Sequence, residues 1–193
     1  MKKQLTILYF SIQLLLHVNY INGQETQNST FNKSDSKKIE TKDFIVYFPK
    51  TEFKIENQNN IQATNGKGII NIWTLKGEKN NNQFIYQVFQ CILTEETINE
   101  IERYPNTLNV MCNATMMSFA SKLGGKDFEF TPLTENEFKG MSSTCSIFDG
   151  KGILNSKAFK VNNSLFMISA GGKELNQQSI LDFLASFKLK ISK

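Results

Sequence analysis

The chain has 193 residues, of which 40% are apolar and 11% aromatic, enough to fill the core of one ordinary domain. This composition excludes a disordered chain, and the sequence contains no repeat of fixed period. The formal charge is only +4 and Arg103 is the single arginine, so the chain lacks the basic, arginine-rich surface typical of nucleic-acid binding. We therefore expect no nucleic-acid partner.

Residues 1–23 have the pattern of a secretory signal peptide. Two lysines precede an apolar run over 5–18, and a polar exit with the small residue Gly23 follows. The run is short for a bilayer crossing, so we expect no integral membrane segment after cleavage, with an uncleaved N-terminal anchor as the alternative. The first cysteine is Cys91, which excludes a lipid-modified cysteine at the cut. These features predict a secreted or periplasmic protein.

Residues 24–42 are polar and lack apolar periodicity, which predicts a flexible leader, and residues 43–191 form the predicted single domain. The domain opens with a strand over 43–49, in which large apolar side chains point to both faces and Pro49 ends the ladder. Further strands are predicted over 61–64, 68–75 and 83–93. In the last two, both faces carry large apolar groups, as in central strands covered on both sides.

Helical patterns follow the fourth strand. Thr94 and the two glutamates after it predict the start of a short helix. Apolar residues at steps of three and four then predict a helix over 107–123 that ends at Gly124 and Gly125.

A short strand over 127–132 precedes a meander over 138–148, 153–161 and 164–170. Asp149-Gly150 and Asn162-Asn163 are the predicted turns of the meander, because these residues tolerate positive φ. A last helix over 179–187 is predicted from its apolar face of Ile180, Phe183, Leu184 and Phe187.

The chemistry available to the mature chain is limited, because its only histidine, His17, lies in the predicted signal peptide. This removes histidine-based nucleophilic and acid–base catalysis and the commonest ligand of zinc, copper and iron. We expect no catalytic residue, no metal and no cofactor. A carboxylate pair could serve a glycosidase-like reaction, but we interpret the acidic cluster as a solvated helix face: Glu95, Glu96, Glu100 and Glu102.

The remaining candidate site residues are the three cysteines and three aromatic residues. The three cysteines match no redox or metal spacing and allow either one disulfide, in three alternative pairings, or three buried thiols: Cys91, Cys112 and Cys145. Three aromatic side chains with a polar group are weak candidates for a ligand groove, with a place in the core as the alternative: Trp73, Tyr86 and Tyr104.

The strand Asp43-Phe44-Ile45-Val46-Tyr47-Phe48-Pro49 resembles the opening strand of the PsbP/Mog1-like domains. The resemblance continues through two central strands and a long helix ending in Gly-Gly to the closing helix over 179–187, and it covers about 43–189. It implies an α+β fold, an α-β-α sandwich around a mainly antiparallel sheet.

Known members of that group mostly bind or stabilise partners. The resemblance therefore implies an exported, non-enzymatic binding or accessory domain for a protein or envelope partner. A histidine-independent, carboxylate-based hydrolase and a carrier of a small apolar ligand remain the alternatives.

Overall fold

The computed structural model describes residues 36–63, 66, 68–79, 81–104, 106–135, 137–173 and 177–190. The predicted signal peptide and the first part of the predicted leader lie outside these residues. The described elements, in chain order, are β1 (Ser36–Glu40), β2 (Phe44–Pro49), β3 (Ile55–Gln62), β4 (Gly68–Lys79), β5 (Asn82–Leu93), α1 (Glu95–Arg103), α2 (Thr107–Ser121), β6 (Lys126–Glu135), β7 (Phe138–Ile147), β8 (Gly152–Val161), β9 (Ser164–Lys173), α3 (Gln177–Ser186) and β10 (Lys188–Leu189).

A seven-stranded antiparallel sheet with the order β3-β4-β5-β9-β8-β7-β6 forms the body of the domain. Its centre is the β5–β9 pair, which runs in register from Phe84 opposite Gly172 to Ile92 opposite Ser164. Most side chains of both strands are buried, as the sequence predicts for strands with two apolar faces. The α+β class with a mainly antiparallel sheet is thus confirmed.

Each face of this sheet has its own core. On the first face, α2 packs its buried Cys112 and Met116 against residues such as Leu154 and Met167 of the sheet. On the second face, β2 packs against the sheet through Phe44 and Phe48, α3 through Phe183, and the segment after α3 through Phe187. Helices therefore cover both faces, because the strands between them are apolar on both sides.

The predicted turns of the meander are present in the structure. Asp149 and Gly150 have φ of 57° and 79°, and Asn162 has φ of 51°. These are left-handed conformations that Gly, Asn and Asp adopt more readily than other residues. The turns set the register of β7, β8 and β9, which pair residue by residue without a bulge.

The structure corrects the predicted start of the domain at Asp43, because the described residues already include a paired strand before it, Ser36–Glu40. Ser36–Glu40 is not part of a flexible leader but pairs antiparallel with β2, and β10 pairs with the other edge of β2. These three strands form a second sheet, whereas a single sheet was expected. Ile39 is the one apolar residue of β1 and packs against the core on the second face of the large sheet. A single apolar residue is too little for sequence periodicity to indicate a strand.

Two strand boundaries also differ from the prediction. β3 begins at Ile55, not at residue 61. The sequence did not indicate its first part because β3 is an exposed edge strand with almost no apolar side chains. The connection between the strands predicted over 68–75 and 83–93 is shorter than expected, since β4 continues to Lys79 and β5 starts at Asn82. Phe53 lies against Gly77 here, where a Cβ would be 2.7 Å from the Phe53 ring.

Candidate interaction surface

Two of the three aromatic candidates belong to the core. Trp73 is 8% exposed and packs edge-on to Phe44 at 5.0 Å, while Tyr86 is 3% exposed and packs against Phe183 at 5.1 Å. Burial raises the pKa of Tyr86 to about 12. Neither side chain lines a groove, so the alternative interpretation as core residues holds for both.

Tyr104, the third aromatic candidate, lies on the surface. It is the C-cap of α1, and its backbone N–H donates to the carbonyl of Glu100 at 3.1 Å. Its side chain is 56% exposed. Tyr104 is therefore placed at the junction between α1 and α2, where a partner could reach it.

The three cysteines are free, buried thiols in the structure and all belong to the first core. Burial raises the pKa of Cys112 to about 12 and that of Cys145 to about 11, and it also raises the pKa of Cys91. Because the thiolate is the reactive form, these side chains are poor nucleophiles. Of the two alternatives that the sequence left open, the structure has the three buried thiols, and a thiol count tests the disulfide.

The acidic cluster lies on the outward side of α1. Thr94 caps this helix by accepting a hydrogen bond from the Thr97 N–H at 3.3 Å, and Ile101 is turned inward. The glutamates are exposed, and three of them line a shallow depression of about 580 Å3 with Asn99, Arg103 and Tyr104. All six lining residues belong to one helix and its cap, so the described residues give no second wall with opposing carboxylates, which a glycosidase needs.

A second depression lies at the end of the β4–β5 hairpin and encloses about 260 Å3. Its apolar walls include Phe84, Leu123 and Phe148. Phe148 adopts φ of 51°, unusual for an aromatic residue, and its N–H donates to the Leu123 carbonyl at 2.9 Å. This contact ties the β7–β8 turn to the end of α2. The volume is slightly below the 300–1,000 Å3 usual for ligand pockets.

The outward side of α2 is the most unusual surface of the described residues. The helix has no charged residue over its fifteen positions. Val110 is 59% exposed and Met117 is 43% exposed, and Ala114 lies exposed between them at helical spacing. A helix at the surface of a soluble domain normally presents charged and polar side chains outward. We call Tyr104, Val110, Ala114 and Met117 the α2 face.

Charged side chains precede and follow α2 in the chain. The four exposed glutamates of α1 precede it, with Arg103 as the only cation of that helix. After it, Lys122 is the C-cap of α2, and β6 begins with exposed residues of both signs, Lys126, Asp127 and Glu129. By helical rise the fifteen residues of α2 separate the two ends by roughly 22 Å.

Sequence reasoning missed this surface because it followed the apolar residues that point inward. The helix 107–123 was predicted from Leu108, Met111, Cys112, Thr115, Phe119 and Leu123, which mark its buried side. The signal that could have revealed the α2 face was the absence of any charge on the remaining positions.

The described residues contain no group of three or more His, Cys, Asp or Glu side chains that could hold a metal ion. None of their helices is both long enough and apolar enough to cross a bilayer. No protein-family model matches the chain, and comparison with curated proteins finds no significant match either.

Proposed function

We propose that this chain is an exported accessory domain that acts by binding a protein or envelope partner through the α2 face. The observation that carries the proposal is the uncharged, exposed outer side of α2, with Val110 at 59% and Met117 at 43% exposure. Single exposed apolar residues are common, but an apolar stripe on a helix with no charge at all is typical of an interaction site.

The contrast within α2 strengthens this interpretation. Met116 is 1% exposed and accepts a hydrogen bond from the Ser143 hydroxyl at 3.3 Å, while the next residue, Met117, has no place in the core. Packing of the domain therefore explains the apolar residues of the inner side but not those of the α2 face. Covering Val110 and Met117 with a partner would remove that apolar area from water, which favours association.

The sequence patterns support the remaining parts of the proposal. The signal-peptide pattern of residues 1–23 supports export. An antiparallel sheet with helices on both faces supports an α-β-α sandwich like that of the PsbP/Mog1-like domains, whose known members mostly bind partners. The lack of histidine after residue 17 and the buried thiols support a non-enzymatic role.

Site-specific crosslinking in intact cells tests the proposal. A photoreactive amino acid replaces Val110 in one strain and Ile153 in another. Ile153 is a matched control because it is 55% exposed, and strand alternation places it on the sheet face opposite Leu154 and α2. We expect a crosslinked product from position 110 and none from position 153. No product from either position, or equal products from both, would remove the support for the α2 face.

A further inference from the structure

We infer that the small sheet of β1, β2 and β10 docks the domain on an anionic phospholipid membrane. This surface is separate from the α2 face, because β2 packs on the second face of the large sheet and α2 packs on the first. The inference starts from an uneven distribution of charge between the small sheet and the rest of the domain.

Positive charge is concentrated in the small sheet and the residues next to its strands. Residues 36–50 and 188–190 contain six lysines and two acidic residues, whereas residues 51–187 contain twelve basic and fourteen acidic residues. One of the two carboxylates, Asp43, is half-buried and accepts a hydrogen bond from Gln90 of the large sheet at 2.9 Å. The six lysines are all exposed: Lys37, Lys38, Lys42, Lys50, Lys188 and Lys190.

The small sheet has an inner side and an outer side. Phe44, Val46 and Phe48 of β2 are fully buried against the large sheet. Alternation along the strand therefore turns Ile45 and Tyr47 outward, where both are half-buried. An aliphatic side chain and a phenol ring thus lie at the centre of the outer side.

Strand pairing places charged side chains around this centre. Lys38 lies opposite Tyr47, while Glu40 of β1 and Lys188 of β10 lie opposite Ile45 from its two sides. Residues directly opposite each other in a sheet project to the same side, so a lysine flanks β2 on each edge. A ring between lysines suits a membrane surface, because the ring can sit at the headgroup level while the ammonium groups reach the phosphates.

Glu40 does not cancel the charge of the outer side. Its carboxylate pairs with Lys38 and, at 2.6 Å, with Lys190, so two ammonium groups share one carboxylate. Lys188 adds a third ammonium group on the same side. The outer side therefore keeps a net positive charge even with its own carboxylate counted.

Neighbouring elements add little opposing charge. Glu52 and Lys54 offset each other between β2 and β3, and α3 has a single charged residue, Asp182. The acidic helix α1 packs on the first face, since its Ile101 belongs to the first core. The basic small sheet and the acidic helix thus lie on opposite sides of the large sheet.

A membrane fits this surface better than an acidic protein does. All six cations are lysines, which act as point charges and lack the bidentate geometry that arginine uses to recognise single carboxylates. The position of β1 in the chain agrees with a membrane. The predicted signal peptide ends at residue 23, and the twelve residues before Ser36 can extend over at most about 40 Å. Along the chain, β1 is therefore the described element closest to the membrane that is crossed during export.

Cosedimentation of the purified exported chain with lipid vesicles tests the inference. One set of vesicles contains equal parts of phosphatidylglycerol and phosphatidylcholine, and the other contains phosphatidylcholine alone. Soluble polyglutamate serves as a third ligand, for an acidic polypeptide. We expect binding to the anionic vesicles at about 0.01 M salt and release at about 1 M salt, because the screening length falls from about 30 Å to about 3 Å.

Two pairs of substitutions separate the small sheet from net charge. Lys38→Gln with Lys188→Gln should weaken vesicle binding about 30-fold at low salt, at about 1 kcal/mol for each lysine. Lys122→Gln with Lys126→Gln lowers the net charge equally at two exposed lysines outside the small sheet, and should bind nearly as well as the wild type. Circular dichroism melting checks that both variants are folded, and exposed ion pairs contribute too little to stability to unfold them.

Four results would overturn the inference. Equal losses in the two pairs would assign binding to net charge, and full binding by Lys38→Gln with Lys188→Gln would assign it to another surface. Equal binding to neutral and anionic vesicles, or to neither, would exclude the headgroup charge as the ligand. Binding to polyglutamate without binding to vesicles would assign the small sheet to an acidic polypeptide. The crosslink from position 110 is measured independently, so the proposed function stands or fails by itself.

Discussion

The two faces of the seven-stranded sheet are packed with different side chains and are covered by different elements. The second face is closed by interlocking aromatic rings, such as Phe44 on Phe187 at 5.2 Å and Phe48 on Phe183 at 5.0 Å, and by the small sheet around β2. The first face is filled largely by aliphatic and sulfur-containing residues under α2, whose outer side carries no charge. The helix over the second face, α3, exposes one large apolar residue, Leu181 at 38%, whereas α2 exposes Val110 at 59% and Met117 at 43%.

The aromatic packing of the second face stabilises the domain, and the uncharged outer side of α2 is consistent with the proposed association there. Polar contacts agree with this division. On the second face, Gln90 donates to the Asp43 carboxylate at 2.9 Å, and Ser186 on α3 hydrogen-bonds to the backbone of Tyr47 on β2. Val110 and Ala114 of the α2 face form no such bond to a described element, because their side chains carry no donor or acceptor.

The largest expected effect is on the aromatic face. Phe183→Ala removes a fully buried ring that contacts Phe48 and Tyr86, and we expect it to lower the free energy of unfolding by about 3–5 kcal/mol. Leu181→Ala is the control on the same helix, because Leu181 is 38% exposed. Chemical denaturation of both variants measures the difference. Equal losses would show that α3 does not pack as described.

The next prediction compares two adjacent methionines of α2. Met116→Ala should cost about 2–4 kcal/mol of unfolding free energy, since Met116 is 1% exposed in the first core. Met117→Ala should change stability by less than about 0.5 kcal/mol but weaken association through the α2 face. Denaturation measures the first effect, and crosslinking from position 110 in intact cells measures the second. A large stability loss for Met117→Ala would mean that the α2 face is part of the core.

The buried cysteines on the first face predict that the stability of the folded chain decreases at alkaline pH. Burial raises the pKa of Cys112 from 9.0 to about 12 in the folded chain. A raised pKa means that the folded state holds the proton more tightly, so this contribution to stability is present below pH 9 and is lost as the pH rises towards 12. We expect the melting temperature to fall over this window, and to fall less in Cys112→Ala. A similar fall in both proteins would contradict the assignment.

Thiol labelling tests the same buried cysteines at neutral pH. The native chain should react slowly, and the unfolded chain should show three free thiols. Two missing thiols would instead establish the disulfide that the sequence allowed.

The aromatic face was largely predictable from the sequence, because burial there follows simple periodicity. Ile180 and Phe183 of α3 and Phe187 just after it are buried as their spacing indicates, and Leu184 is partly buried. The strands β1, β3 and β10 were missed or misplaced, since edge strands with polar or few residues have no pattern of two apolar faces. Their positions depend on pairing with β2 and β4, which local sequence does not encode.

The candidate site was harder to predict for a related reason. Periodicity identifies the side of α2 that is buried, and the opposite side is assumed to be solvated. Tyr104 was proposed as a ligand-groove residue and lies at the edge of the α2 face, while Trp73 and Tyr86 share its chemistry but point into the core. Residue type alone could not separate these three, because the direction of each side chain follows from strand register and helix ends.

The smallest expected effect concerns the edge of the second face, where Glu40 of β1 contacts Lys190. Glu40 is exposed and pairs with Lys190 at 2.6 Å and with Lys38. Hydrogen bonds from Lys190 first and then from Lys38 lower the pKa of Glu40 from 4.5 to about 2. A lowered carboxyl pKa gives stability that is present above pH 4.5 and is lost as the pH falls towards 2.

Hydrogen exchange of the β1 amides measures this contribution against Glu40→Gln. At neutral pH, the variant should exchange slightly faster than the wild type, because exposed ion pairs contribute little. The ratio of the two rates should fall towards one as the pH is lowered through 2, because Glu40 then becomes protonated in the folded chain as well as in the unfolded chain. Glu56→Gln, which breaks the exposed pair with Lys76 on β4, should leave β1 unchanged. A ratio that is independent of pH would show that the Glu40 charge does not hold β1 on the second sheet.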